Sequence, residues 1–394
     1  MKQNYSKHIV GVAIAVWLVG MGAASGQRLR PVASAVPFLN ITPDARAAGM
    51  GDVGVATSPD ANATFWNPAK LVFAEKKFGA SLSYTPWFKA LNINDMWFGY
   101  LSGYYQINKN QAIGMGLQYS NLGDINFTDE SGSDIRDFRP REFALAPSFA
   151  QKFSDHLSGS VTLRLIYSNL SGNIDLAGGS GGQSRPGVTV AGDVALYYKT
   201  DLNLGGRDFN WALGANISNL GPKISYSTNS QREFIASNLR LGSALTYNID
   251  PYNKVTFAAD VNKLMVPTPQ ANNVPPPSKP LISGIFGSFA DAPDGFSEEM
   301  KEFVWSAGLE YWYNNVFAMR GGYFRESREK GFRQYFTVGA GFRFSSLGLD
   351  AAYMIPTQTQ SPLAETLRFT LHFDFGESDA DDNDDRKKPA RSPQ

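Results

Sequence analysis

The 394-residue chain contains no cysteine, which excludes disulfides, thiolate nucleophiles and cysteine metal sites. Histidine is almost absent. His8, His156 and His372 are the three, and no zinc-ligand spacing joins them. Net charge is missing as well: 36 basic residues balance 36 acidic ones, so nothing argues for a nucleic-acid partner. No strand–helix nucleophile elbow is present, because Gly178-Gly179-Ser180-Gly181-Gly182 falls in a low-complexity loop. The acidic run from Asp379 to Asp385 lacks the glycine and spaced glutamate of a calcium loop. These absences point away from enzymes and away from any cofactor or metal. One more absence decides the architecture. Beyond residue 26 no apolar run is long enough for a transmembrane helix, so a membrane-spanning chain would have to cross with strands.

Residues 1–26 read as a signal peptide. Lys2 and Lys7 form its basic start, Ile9 to Met21 its apolar centre, and Ala24 and Gly26 suit cleavage before Gln27. Losing that leader removes two of the 36 basic residues and leaves a net charge of about −2. The remaining chain is rich in what a lipid-facing barrel uses, with 27 Phe, 17 Tyr, 7 Trp and 38 Gly over the whole sequence.

The clearest segment is the last. Leu367, Phe369, Leu371, Phe373 and Phe375 alternate with Arg368, Thr370, His372 and Asp374, the period of a strand with one greasy and one polar face. Thirteen similar segments precede it. The spans are 78–87, 95–107, 110–120, 141–153, 157–170, 188–199, 209–219, 238–249, 254–264, 303–313, 316–325, 332–344, 347–354 and 366–375. Arg164, Arg240, Asp260 and Asn262 fall on the polar faces, where a hydrated interior tolerates them and lipid would not. Gly339 and Gly341 read as barrel glycines, and Phe98, Tyr100, Tyr104 and Tyr105 as membrane-interface aromatics. Connection lengths alternate. Asn108-Lys109, Asn314-Asn315 and Ser345-Ser346 are short, whereas 121–140, 171–187, 220–237 and 265–302 are long, and 200–208 is the longest of the short set. Short turns at one end and long loops at the other fit an outer-membrane barrel. The expectation is an all-β fold: an antiparallel transmembrane barrel of about fourteen strands over 77–376, with a charged periplasmic tail over 377–394.

Residues 27–76 differ from this pattern. Asp44 to Gly51 can form a short helical turn, and Phe65-Trp66-Asn67-Pro68-Ala69 a second one that Pro68 ends or kinks. Lying ahead of the first strand, this stretch suits an N-terminal plug. The 265–302 loop carries seven prolines from Pro267 to Pro293, with a short helix expected after a Ser297 cap.

The leader, the Ala45-Arg46-Ala47-Ala48-Gly49-Met50-Gly51-Asp52 segment, the Asn67-Pro68-Ala69 turn and the strand series together resemble the PorV family. These are outer-membrane proteins of the type IX secretion system of Bacteroidetes, related in fold to FadL-type transporters. The resemblance implies a plugged fourteen-stranded barrel in the outer membrane, surrounded by lipid. It implies as partners a Sov/SprA-type translocon, the C-terminal domains of secreted cargo and a PorU-containing attachment complex. Arg46, Gly49, Gly51, Asp52, Trp66, Asn67 and Pro68 become candidate plug residues. Loops 220–237 and 265–302 become the candidate partner rim, with Asn273, Pro275, Pro276, Pro277, Phe286 and Phe289 as its contact residues. The alternative is a FadL-like carrier of small hydrophobic molecules, although no basic acyl-binding site can be assigned. A lipid A deacylase is a third reading, for which the sequence offers no nucleophile–base pair.

Overall fold

The computed structural model describes residues 30–128, 131–170, 172, 183–227, 232–270, 278–358 and 366–377. The expected leader, the glycine-rich run at 178–182 and the tail beyond Glu377 lie outside the described residues. Sixteen strands form among the described residues. They are β1 (Lys76–Pro86), β2 (Met96–Asn108), β3 (Gln111–Leu122), β4 (Ile125–Thr128), β5 (Asp134–Phe138), β6 (Arg141–Lys152), β7 (Leu157–Asn169), β8 (Gly187–Leu204), β9 (Arg207–Leu220), β10 (Asn238–Asn248), β11 (Asn253–Leu264), β12 (Phe303–Tyr313), β13 (Phe317–Arg325), β14 (Gln334–Phe344), β15 (Leu347–Pro356) and β16 (Leu367–Glu377). Fourteen of them close an antiparallel barrel in which each strand pairs with its barrel neighbours in sequence and β1 joins β16. The closing register runs from Lys76 opposite Glu377 to Tyr84 opposite Phe369, and it leaves no edge strand in the wall.

All fourteen segments read from the alternation are in the wall. Their apolar faces point outward, as at Val161, Leu163, Phe336, Val338, Phe369 and Leu371, and the polar partners Arg164, Thr337, Thr370 and His372 are buried inside. Outward aromatics stack across neighbouring strands near both ends. Trp97 meets Tyr119 at 5.2 Å between ring centres, and Phe209 meets Tyr247 at 4.8 Å. Such pairs supply the two interfacial girdles.

Three expectations change. The stretch 125–138, read as loop, contains the separate hairpin β4–β5. The 200–208 connection is not a long turn either. Strands β8 and β9 continue through it, and only Gly205-Gly206 turns, with φ of 62° and 77°. Two consecutive left-handed residues make a type I′ hairpin turn whose twist matches the strands, and Asn314-Asn315 does the same with φ of 52° and 54°. Third, Phe98, Tyr100 and Tyr104 are not at the membrane interface. They are even-numbered on β2, which is the inward parity, and are 0%, 2% and 4% exposed; Tyr105 alone faces out. A dense aromatic cluster hides the period of two that decides the face.

Candidate functional site: the luminal segment and the outer rim

Residues 30–75 run through the barrel. The Arg30 N–H donates to the Glu329 carbonyl, in the connection between β13 and β14 at the long-loop end. The segment leaves at the other end, where β1 starts with Lys76 opposite Glu377. Its local structure follows from its sequence. Asp44 accepts from the Ala47 N–H at 2.8 Å and so caps the helix Ala45–Gly49. Asn67 accepts from the Ala69 N–H at 3.1 Å and caps the 3₁₀ helix Pro68–Phe73, with Pro68 at the first helical position. Pro68 therefore starts a helix as well as separating it from Ala63–Trp66.

Every candidate plug residue comes into this luminal layer. Arg46 forks onto Glu310 of β12 through Nε at 2.9 Å and Nη2 at 2.7 Å, and its Nη1 reaches Asp60 at 2.9 Å. Arg320 of β13 joins Glu310 to Asp350 at 2.7 and 2.8 Å, and Asp350 accepts from His372 and Arg343. This chain of charges carries the luminal helix into five wall strands, β12 to β16. Gly49 lies so close to β14 that a Cβ there would stand 3.1 Å from the Gly339 Cα. Gly51 has φ of 71°, and a side chain on it would meet the Tyr323 backbone N at 2.6 Å. Asp52 accepts from the Tyr335 hydroxyl at 2.5 Å and from Arg368 at 3.2 Å. The Trp66 indole donates to Asp44 at 2.8 Å, and Asn67 donates to the Leu196 carbonyl of β8 at 2.9 Å.

Burial and neighbouring charge set the ionisation of this layer. Burial, followed by the Asp60 carboxylate, pushes Asp44 above the usual range. Burial alone would also raise Asp60, but the surrounding positive groups together, Arg46 foremost, hold that carboxyl low. Burial pulls Lys70 down to about 8 despite Asp60; its ammonium donates to the Gly54 carbonyl at 2.6 Å. Sequence reasoning missed the wall-side partners, including Asp260, which accepts from the Gly54 and Val55 N–H groups at 2.8 and 3.0 Å. The signal available was a carboxylate on a lumen-facing strand position.

The outer rim is a packed cap. The Leu281–Gly287 helix lies against the 220–237 loop, where a Cβ on Gly284 would overlap the Phe234 ring at 2.2 Å. Lys223 donates to the Lys279 carbonyl at 2.7 Å. The expected Ser297 cap is not used. The helix is Phe296–Glu299, and Gly295 precedes it with φ of 74°, a conformation serine adopts at a cost. Its carboxylates form a buried lock. Glu298 holds Arg30 and Lys330, Glu299 holds Lys263, and Glu302 holds Lys263 at 2.6 Å and Lys330 at 2.9 Å. Phe289 is half-buried beside Lys263, whereas Phe286 is 55% exposed. Asn273, Pro275, Pro276 and Pro277 lie outside the described residues.

A closed strand wall with an apolar exterior and a polar lumen, occupied by the chain's own N-terminal segment, defines an outer-membrane β-barrel. Residues 24–271 match the family model described as Type IX secretion system protein PorV. The chain belongs to this PorV family and is an outer-membrane component of type IX secretion, associated with that machinery. No curated protein sequence matches it. Among solved structures it is similar to the Ralstonia pickettii toluene transporter TbuX, with 12% identity over 85% of this chain and 99% of that one and a TM-score of 0.49. The Pseudomonas putida toluene transporter TodX gives 13% identity, 88% and 98% coverage and a TM-score of 0.48. A Pseudomonas aeruginosa FadL homologue gives 12%, 88% and 100%, and 0.44.

Proposed function

We propose that this chain is the non-enzymatic shuttle of type IX secretion. It takes the C-terminal secretion domain of cargo at a Sov/SprA-type translocon and hands it to a PorU-containing attachment complex. Residues 27–76 act as the plug, with Arg46, Gly49, Gly51, Asp52, Trp66, Asn67 and Pro68 bracing it, and the outer loops 220–237 and 265–302 form the docking rim. The observation that carries the reading is the exposed apolar rim on an ion-locked base. Ile282, Phe286 and Phe296 are 66%, 55% and 79% exposed, while the Glu298, Glu299 and Glu302 carboxylates beneath them are buried. Exposed aromatics on a rigid support are what a protein interface uses as anchors. A lumen filled by residues 30–75 leaves no conduit for folded cargo, which supports docking over passage.

The test is co-purification from native membranes in mild detergent, comparing the natural chain with Phe286→Ser/Phe296→Ser. Losing two anchors of about 2 kcal/mol each should cut recovery of a large barrel partner and of cargo by ten-fold or more. Unchanged recovery, with the variant still folded in the membrane, would refute the rim assignment. A second reading, a carrier of small hydrophobic molecules, is supported by a luminal cavity of about 540 Å³ between the N-terminal segment and the cap.

A further inference from the structure

We infer that the periplasmic mouth of the barrel is a basic docking site, and that its occupant is the chain's own acidic run over 378–385. The inference does not use the shuttle reading. β1 starts and β16 ends at the short-turn end, where Lys76 stands opposite Glu377, and short turns mark the periplasmic side of such barrels. Three lysines sit at that end on the inward parity of their strands. Lys152 finishes β6 in step with the buried Ser148 and Ala150, and Lys254 opens β11 in step with the buried Thr256 and Ala258. Lys199 follows the buried Ala195 and Tyr197 on β8, level with the β6–β7 turn, where its N–H donates to the His156 carbonyl. Arg343 of β14 is a fourth cation at this end, but Asp350 holds it at 2.8 Å.

The three lysines are short of counter-charge. Among the described residues no carboxylate lies within ion-pair distance of Lys199 or Lys254. Lys152 pairs at 2.9 Å with Asp155, whose side chain is 92% exposed, and a pair that open to water contributes about 0–1 kcal/mol. The other acids at this end are engaged elsewhere or stand apart. Asp201 accepts from Asn210 at 2.5 Å, and Glu75 and Asp374 make no ion pair with any of the three among the described residues. Aromatic faces stand where anions would. The Lys199 and Lys152 ammonium groups lie 4.6 and 5.7 Å from the centre of the Phe73 ring, and Lys254 lies 5.8 Å from that of Trp312. Sharing one ring keeps Lys152 and Lys199 no more than about 10 Å apart, one Debye length at 0.1 M salt, so they repel each other. An anion laid across Phe73 relieves that repulsion.

The nearest polyanion is the chain itself. After Glu377 come Asp379, Asp381, Asp382, Asp384 and Asp385, five carboxylates in seven residues, all outside the described residues. Gly376, with φ of 71°, turns the backbone off the line of β16 just before that run begins. The eight steps from Glu377 to Asp385 span up to ~26–29 Å. Fourteen strands ~4.8 Å apart and tilted by ~40° make a barrel ~28 Å across. The run therefore reaches β6 and β8, four and six strands from β16 in one direction, and β11, five strands away in the other. Anionic headgroups of the inner leaflet compete poorly, because the three lysines have the lumen-facing parity and not the lipid-facing one. Phe73 ends the luminal 3₁₀ helix, so a run docked on its ring closes over the point where the luminal segment leaves the barrel.

The experiment uses the full chain in a non-ionic detergent. Its lack of cysteine allows paired spin labels at Asn383→Cys, inside the acidic run, and at Tyr252→Cys, 60% exposed in the turn beside Lys254. At low salt the label separation should be single and narrow, no longer than the mouth is wide. It should broaden in 1 M salt, where the screening length falls to about 3 Å. Lys152→Gln/Lys199→Gln/Lys254→Gln should broaden it at low salt while the barrel keeps its unheated gel mobility. A broad distribution in the parent at low salt, or a narrow one that survives the lysine substitutions, would overturn the proposal. A labelled peptide of sequence 378–385 then tests whose acids fill the mouth, on the parent and on a variant with the five aspartates changed to asparagine. The asparagine variant should bind the peptide at least ten-fold more tightly, because the parent's own run holds the site. Equal binding to both would mean a polyanion site filled from another molecule, and binding to neither would mean no site; either result overturns the assignment.

Discussion

Replacing Arg46 by methionine tests whether charge holds the luminal segment in place. Methionine keeps most of the volume, so the loss is electrostatic. Arg46 makes two bonds to Glu310, one to Asp60, and two to Ser58 through its carbonyl and hydroxyl oxygens. Glu310 is 1% exposed, and it keeps Arg320 as a partner when Arg46 goes. The cost therefore belongs at the lower end for a broken buried pair, about 3 kcal/mol. At about 1.4 kcal/mol per decade, the opened population of the segment should rise on the order of 10²-fold. The absence of cysteine supplies the assay. Thr57→Cys places a single thiol at a buried luminal position, 6% exposed, and its maleimide labelling rate reports opening. Barrel integrity is read separately from the unheated gel mobility. A labelling rate within two-fold of the parent, in a barrel that keeps its mobility, would refute the charge-lock argument.

Gly51→Ala should release the segment by another route. An L-residue at φ of 71° with a Cβ 2.6 Å from the Tyr323 N costs about 1–3 kcal/mol, seen as roughly ten- to hundred-fold faster Thr57→Cys labelling. Glu302→Gln should loosen the cap, because Lys263, Lys330 and the Thr268 hydroxyl all donate to it. Chymotrypsin cleavage after the half-buried Phe289 should accelerate by ten-fold or more, and an unchanged cleavage rate would count against the lock. Lys70 gives a pH dependence with a defined sign. Its ordinary value is 10.5 and its buried value about 8, so the opened state binds the extra proton between these limits. Closure should therefore strengthen as pH rises from 8 to 10.5, by about 3 kcal/mol, and stay at its weaker value below 8. Lys70→Met should flatten that slope, measured as labelling relative to an exposed-cysteine control.

The barrel was legible because its signal is local. Alternation in 366–375 or 332–344 needs no knowledge of neighbours, and an outward Phe369 or inward Arg368 follows from parity alone. Where both parities are aromatic, as over Phe98 to Tyr105, parity says nothing and the face has to come from the lumen. There Tyr100 bonds the Thr64 hydroxyl at 2.7 Å. The β8–β9 turn was misplaced because Asp201, Asn203 and Asp208 look like loop residues, whereas Gly205-Gly206 alone satisfies the turn. In the candidate site, the luminal half was readable and the wall half was not. Arg46, Gly51 and Asp52 stand together in sequence, but Glu310, Tyr335 and Arg368 are brought to them only by barrel closure.

The luminal segment is tied to the wall by polar groups as well as by apolar packing, as of Met50 and Val53 on Ala244 and Ala258, because the wall turns many polar side chains inward. Strand alternation gives the apolar side chains to lipid, so a filler must meet Asp260, Thr337, Asp350 and Thr370, all buried and inward. Apolar packing alone would strand these groups, and each unpaired one costs about 1–3 kcal/mol. The solution is distributed. Gly54 and Val55 donate to β11, Gly51 to Thr337 of β14, Ala45 to Thr370 of β16, and Asn67 to the β8 carbonyl of Leu196. Anchors on opposite sides of one barrel make the segment an internal strut. Removing it would take away the filler and, at the same time, leave inward donors and acceptors around the whole circumference to water. The wall and its filler therefore stabilise one another, and segment release has a cost that only several simultaneous losses can offset.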